Sequence, residues 1–173
     1  TRVAKAFPFG EVRSGFLTQQ VPMFTRMGDK FSSFGVQNGL ASLIPTLLTS
    51  GILGYPFVLP DMVGGNAYFL DMPTKDLVVR WTQANALMPA IQFSIAPWDM
   101  REGSWWLARL LDKLFHPFRD EAAEAAETSE CAQAALRLRE RWGHRIAELL
   151  EASAHTLLPV CRPLWWVGPE DPE

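Results

Sequence analysis

The sequence predicts an α/β fold built on parallel strands, and three observations carry that expectation. Short apolar runs alternate with helix-period segments, the strongest run (52–59) carries no charge, and the loops after the runs collect Gly, Asp and Arg. Alternation of this kind argues for strands joined by crossover helices. An uncharged run suits a strand buried on both faces. The chain has 173 residues of which 48% are hydrophobic, enough to build a sizeable core rather than a disordered tail. A net charge of −3 with no basic stripe argues against nucleic acid as a partner.

The elements follow in order. Residues 7–16 mix aromatic and β-branched side chains with glycine, and 21–27 form a second short run bounded by Pro22 and Gly28; each reads as a strand. Ser32 or Ser33 is placed to cap a helix running to about Ser50, with Gly39 and Pro45 kinking it and Gly51 marking its exit. The run 52–59 is the third strand, ending in the turn-forming stretch 60–66. Thr74 caps the next helix, with Asp76 where a negative charge meets the positive end of the dipole. Leu77, Trp81, Ala84 and Met88 share one face of it, Pro89 stops it, and 88–95 resumes as a strand.

Trp105, Trp106, Leu107, Leu110, Leu111, Leu114 and Phe115 then predict a short amphipathic helix closed by His116 and Pro117. A long helix is expected from about Asp120 to Ala154. Its apolar stripe is Leu138, Trp142, Ile146, Leu149 and Ser153, with Arg137, Arg139, Glu140, Arg141 and Glu148 mostly outside. The Glu121, Glu124 and Glu127 repeat reads as a helix-favouring insertion. Residues 157–167 are strand-like, with Pro159 and Pro163 marking an edge.

The uncharged stretch 31–60 is long enough for a bilayer, but its Gln37, Asn38, prolines and glycines suit an interior element, so no membrane contact is expected of this segment. Cys131 and Cys161 are too few for a disulfide scaffold and lack the spacing of a zinc site; His116, His144 and His155 are too scattered to form a metal site. The sequence starts at Thr1 and stops soon after the strand-like run, so it is expected to be an excerpt of a longer chain.

In a parallel α/β architecture the chemistry sits in the loops after the strands. Those loops hold Arg13, Arg26, Asp29, Lys30 and Asp61, then 94–99 with Trp98. By spacing alone, Asp29 is either a turn residue or a carboxyl whose pKa burial raises for general acid work, and Asp61 is a cap, an ion-pair partner or an acid.

At these loops the sequence resembles glycoside hydrolase family 31. Arg13-Ser14-Gly15-Phe16 with Met27-Gly28-Asp29-Lys30, sixteen residues from arginine to aspartate, resembles its RSxF…GDN block. Ile44-Pro45-Thr46-Leu47-Leu48 and Gly54-Tyr55-Pro56-Phe57-Val58-Leu59-Pro60-Asp61-Met62-Val63-Gly64-Gly65 are similar to its IPxLL…GIPFVGxDVGGF. Leu77-Val78-Val79-Arg80-Trp81 resembles ELLxRW, and Arg137-Leu138-Arg139 with the stretch from Pro159 to Trp166 resembles RLR…PVxRPLWW. The Met-Gly-Asp-Lys and Asp-Met-Val-Gly-Gly-Asn forms, with Gln92-Phe93-Ser94 in place of RxHSH, look like the family's myogenesis-regulating glycosidase branch, which is α-galactosidase-like in sugar preference.

The resemblance implies the C-terminal half of a (β/α)₈ barrel, about strands five to eight, over residues 1–155, with a helical insertion near 103–130. Residues 156–173 would then begin a C-terminal β-sandwich domain. It implies a retaining α-glycosidase acting on α-galactosides, with Asp29 as acid/base and Arg13 binding sugar. Trp98 is then either a sugar-stacking aromatic or packing, Arg26 lines the substrate site, and Asp61 stands behind as a partner for Arg13. Arg26 replaces a tryptophan of the α-glucosidases and Ser94 replaces their sugar-binding histidine, which favours a different hydroxyl arrangement; Lys30 and Arg26 also offer charge to an anionic or polar leaving group. The nucleophile motif, WxDxxE-type, is absent from these residues, so the segment alone is expected to be inactive.

No cofactor or metal is implied. The implied partner is an α-linked oligosaccharide or glycoconjugate, with a homodimer and a lumenal, membrane-anchored location for the parent protein. The alternative is a non-catalytic carbohydrate-binding or protein-interaction protein on the same barrel.

Overall fold

A computed structural model describes residues 10–13, 15–68, 72–98, 110, 113–115 and 120–171. Three short strands, β1 (Glu11–Val12), β2 (Phe24–Arg26) and β3 (Val58–Leu59), form a parallel sheet in the order β1-β2-β3. The registers pair Val12 with Thr25 and Arg26 with Leu59. Because parallel strands run the same way, each needs a crossover; helix α1 (Leu43–Ile52) connects β2 to β3. The predicted strand at 88–95 contracts to one parallel bridge, Val63 with Phe93, reached through helix α2 (Lys75–Asn85).

The first helix starts later than predicted. Residues 31–39 are held as a loop by Phe31 N–H to Asn38 O (2.9 Å) and Leu40 N–H to Ser33 O (2.8 Å). Gly39 fits there because a Cβ would meet Ser33 O at 2.4 Å. A 3₁₀ turn (Leu40–Ser42) then leads into α1. Pro45 does not kink α1, since it is the helix's third residue, where the N–H has no intrahelical partner to lose. Nor is Gly51 the exit: it lies inside α1, where a Cβ would sit 2.9 Å from Pro159 Cβ. The turn out falls at Gly54, whose φ of +91° favours glycine.

α2 agrees with the prediction at its start, where the Thr74 hydroxyl accepts from Leu77 N–H (3.3 Å) and Asp76 occupies the first turn. Its inner face buries Leu77, Val78 and a fully enclosed Trp81 against Met27, Leu43, Leu47, Val58, Val63 and Met88. This cluster is the core, between the sheet and the two crossover helices.

Helix α3 (Glu121–Thr156) has Asp120 as its cap, accepting from the Ala122 and Ala123 amides, and packs on α2. Its buried side departs from the predicted stripe. Ile146 and Ser153 of that stripe are buried, but Leu138 and Trp142 are 40% and 47% exposed, and Thr128, Ala132 and Ala135 take their place in the interior. Small residues let the two helices approach closely. Arg139, expected outside, reaches across: Nη1 donates to Ala86 O (3.1 Å) and Met88 O (2.7 Å), and Nη2 to Pro89 O (3.1 Å). Those carbonyls end α2 and lead to the Phe93 bridge, so a planar fork satisfies acceptors that the helix leaves open. Together with Phe24, Leu59 and Ile91, α3 lines an open pocket of about 480 Å³.

Residues 157–167 are not a strand: after Leu157 in the left-handed region, they form a loop and one helical turn, α4 (Leu164–Val167). Leu110 and residues 113–115 are helical. Trp105, Trp106, Leu107, Leu111 and His116, on which the short amphipathic helix was predicted, lie outside the described residues. Among the described residues no helix is long and apolar enough to cross a membrane.

Arg139→Ala removes three donors at once from carbonyls that no helix partner satisfies. The expected outcome is a loss of about 2–3 kcal/mol, given the worth of charge-assisted hydrogen bonds, read on the intact protein as a lower denaturant midpoint at unchanged slope.

Candidate active site

The C-terminal ends of the three parallel strands bring the predicted polar residues together. Arg13 follows β1, Arg26 ends β2 with Asp29 three residues on, and Asp61 follows β3. Asp29 is partly exposed and uses both carboxylate oxygens: Oδ1 accepts from Arg13 Nη1 and Oδ2 from the Tyr68 hydroxyl. Its backbone oxygen accepts from Asn38 Nδ2 at 2.8 Å, which fixes the loop.

The hydrogen bond from Tyr68, then that from Arg13, holds the Asp29 carboxyl below the usual carboxylate range, against a smaller opposing effect of burial. The expectation that burial raises it is therefore reversed, because the side chain is 36% exposed and is met by a donor on each oxygen. The same contacts raise Arg13 and Tyr68.

A second cluster lies beneath the first. Asp61 is fully buried and accepts from Arg26 Nε (3.3 Å) and Nη2 (3.0 Å) at Oδ1. At Oδ2 it accepts from Lys30 N–H (2.7 Å) and from Asn66 Nδ2. Its ion-pair partner is thus Arg26 and not the expected Arg13. Arg26, expected to line the substrate site, is only 8% exposed and also reaches Glu11 (3.4 Å). The pair gives each charge a counter-ion where water is excluded, as enclosed charges require.

Lys30 turns away from the site. Its Nζ donates to Ser42 Oγ (2.9 Å), and burial pushes the amine below its ordinary value. Trp98 is 67% exposed on the turn after the Phe93 bridge and is not among the partners of Asp29. Sequence reasoning missed Tyr68 and Asn66. The available signal was the Gly64-Gly65-Asn66 turn, whose two glycines adopt φ of +84° and +80° and send the chain back over Asp29.

The sequence pattern of the glycosyl hydrolases family 31 TIM-barrel domain matches residues 2–141. The chain is 36% identical to the myogenesis-regulating glycosidase of Mus musculus, over 95% of the chain and 21% of that protein. It is 30% identical to the SITS-binding protein of Tetronarce californica, over 90% of the chain and 19% of that protein. A family 31 sulfoquinovosidase from E. rectale, solved with an aza-sugar inhibitor, superposes with a TM-score of 0.61 at 22% identity, covering 86% of this chain and 20% of that one. The chain therefore spans about a fifth of the length of the relatives it matches.

Asp61→Asn removes the buried counter-ion and leaves the enclosed Arg26 with Glu11, which is half-exposed. The expected cost is about 3 kcal/mol, the lower end for breaking a buried pair, measured by chemical denaturation of the intact protein; adding Arg26→Met recovers most of it. For Asp29, the folded value lies below the unfolded one. Its stabilising contribution is thus present above about pH 3.9 and lost as pH falls through the lower folded value. A carboxyl-carbon NMR titration is expected to place its midpoint below about 3.9; a higher midpoint contradicts the assignment of both donors.

Proposed function

The chain belongs to glycoside hydrolase family 31, and from that premise we propose that it forms the C-terminal half of a retaining α-glycosidase barrel acting on α-galactosides. In this reading residues 1–155 supply about strands five to eight, and 156–173 begin a β-domain. The edge position of β1 among the described residues and the open pocket beside α3 support a partial barrel, since a further strand and its helix would cover both.

The observation that carries the functional reading is Asp29 at the end of β2, facing Arg13 from the end of β1. In a retaining mechanism a nucleophilic carboxylate, here on sequence outside these residues, bonds to the anomeric carbon as the glycosidic C–O bond breaks. Asp29 gives its proton to the departing oxygen. It then takes a proton from the water that releases the sugar, which restores the starting state. That cycle needs a carboxyl able to carry a proton near working pH. The second carboxylate's charge and water exclusion by bound substrate raise Asp29 from its depressed resting value. Arg13 offers a planar fork to sugar hydroxyls, and Trp98 an exposed aromatic face for an α-linked oligosaccharide or glycoconjugate.

A second reading is a non-catalytic carbohydrate-binding or protein-interaction protein. It is favoured by the similarity to a protein named for binding SITS and by a resting Asp29 with both oxygens occupied. An aspartate in the upstream nucleophile motif favours the enzyme, and an uncharged residue there favours the binder.

In the intact protein, Asp29→Asn is expected to lower turnover of α-galactosides with poor leaving groups by roughly 10²–10⁴-fold, with substrate binding kept. Unchanged turnover removes Asp29 from the mechanism. The isolated 173-residue chain is expected to release no phenol from an aryl α-galactoside, and measurable release rejects the partial-barrel reading.

A further inference from the structure

The loop after β3 is pinned to the loop after β2 by contacts that have no role in the proposed chemistry. Asn66 donates its backbone N–H (3.0 Å) and its Nδ2 (3.2 Å) to Lys30 O, while Ala67 N–H donates to Ser32 Oγ (3.0 Å). Gly65 lies so close to this segment that a Cβ would meet Phe31 C at 2.7 Å. Ala67 adopts φ of +49°, a conformation a non-glycine residue enters only when its surroundings impose it. The next residue is Tyr68, and its hydroxyl lands on Asp29 Oδ2.

Both Asp29 oxygens are thereby occupied by donors. A carboxyl that is to protonate a leaving oxygen must turn its proton-bearing oxygen to it, and a donor already aimed at that oxygen competes for the position. Both bonds end on an ionised acceptor and are charge-assisted, and Arg13 adds an ion pair to its own. Tyr68 is neutral and 39% exposed. We propose that Tyr68 is a positioning residue: it occupies Asp29 Oδ2 in the unliganded site, keeps the carboxylate aimed, and gives up that oxygen to the glycosidic oxygen when substrate binds. This rests on the reading of Asp29 as acid/base. The charged and titratable groups facing the pair are Arg13 after β1, Arg26 at the end of β2, and Asp61 after β3.

Measuring kcat and kcat/KM against pH on the intact protein, with an α-galactoside of poor leaving group, tests the displacement. The profile of kcat/KM reports the free enzyme and that of kcat the substrate complex. Tyr68→Phe is expected to move the alkaline limb of kcat/KM up by roughly one pH unit, the size of losing one hydrogen bond to a charged carboxylate. The limb of kcat stays in place. Tyr68→Leu gives the same result if the hydroxyl, and not ring packing, is responsible. Movement of both limbs overturns the displacement, since Tyr68 then stays on Asp29 in the complex; movement of neither overturns the positioning role. Asp29→Asn on the same substrate separates the two levels: if it leaves turnover unchanged the acid/base reading itself fails, whereas if it abolishes turnover while Tyr68→Phe moves nothing, only the present inference fails.

Discussion

Asp61 is the point on which the site depends. One buried carboxylate accepts from the Arg26 guanidinium, the Lys30 amide and the Asn66 side chain. It therefore ties the end of β2, the loop after it, and the loop after β3 into one piece. A carboxylate has about four lone-pair positions, and Asp61 fills them from the stretch 26–30, roughly thirty residues before it, and from Asn66 in its own loop. Asp29 lies between Arg26 and Lys30, so its backbone is placed by a residue it never touches with its own side chain.

The two clusters divide the electrostatic work. The enclosed pair of Arg26 and Asp61 supplies rigidity, since charges without water need fixed partners. Asp29 and Arg13 stand closer to solvent, where their charges are screened and their side chains can rearrange. Lys30 illustrates how local that division is. Its backbone serves Asp61 and Asn66, yet its amine is buried against Ser42 on the far side. Adjacent residues in one loop thus face opposite environments.

Much of this was legible in the sequence, for identifiable reasons. Thr74 and Asp76 announced α2 because capping chemistry is local, and the strand-loop positions of Arg13, Asp29 and Asp61 followed from apolar runs ending at turn formers. What sequence reasoning misassigned was set by distant partners. Pairing Asp61 with Arg13 rather than Arg26 was a choice among charges that only the register of β2 against β3 decides. The face of α3 went astray because Ala132 and Ala135 carry little hydrophobic signal yet win burial by being small, while Leu138 and Trp142 carry a strong signal and stay exposed. Residues 157–167 read as a strand from composition, but a backbone needs a ladder to become one. Among the described residues one backbone hydrogen bond, Val160 N–H to Pro56 O at 3.3 Å, reaches toward the sheet.

The close seat of Pro159 on Gly51 joins two parts of the chain that are made at very different moments. At synthesis rates of roughly 5–20 residues per second, the roughly 110 residues from Gly51 to Cys161 take on the order of ten seconds to emerge. Until then α1 lacks the surface that covers its inner glycine, and Cys161 has not reached the core it packs against. The loops bearing Arg13, Asp29 and Asp61 leave the ribosome before the segment that supports them. A chaperone that shields nascent apolar segments therefore has its task between the emergence of α1 and that of Pro159, and a ribosome stalled anywhere in α3 strands Arg13, Asp29 and Asp61 on an unfinished scaffold.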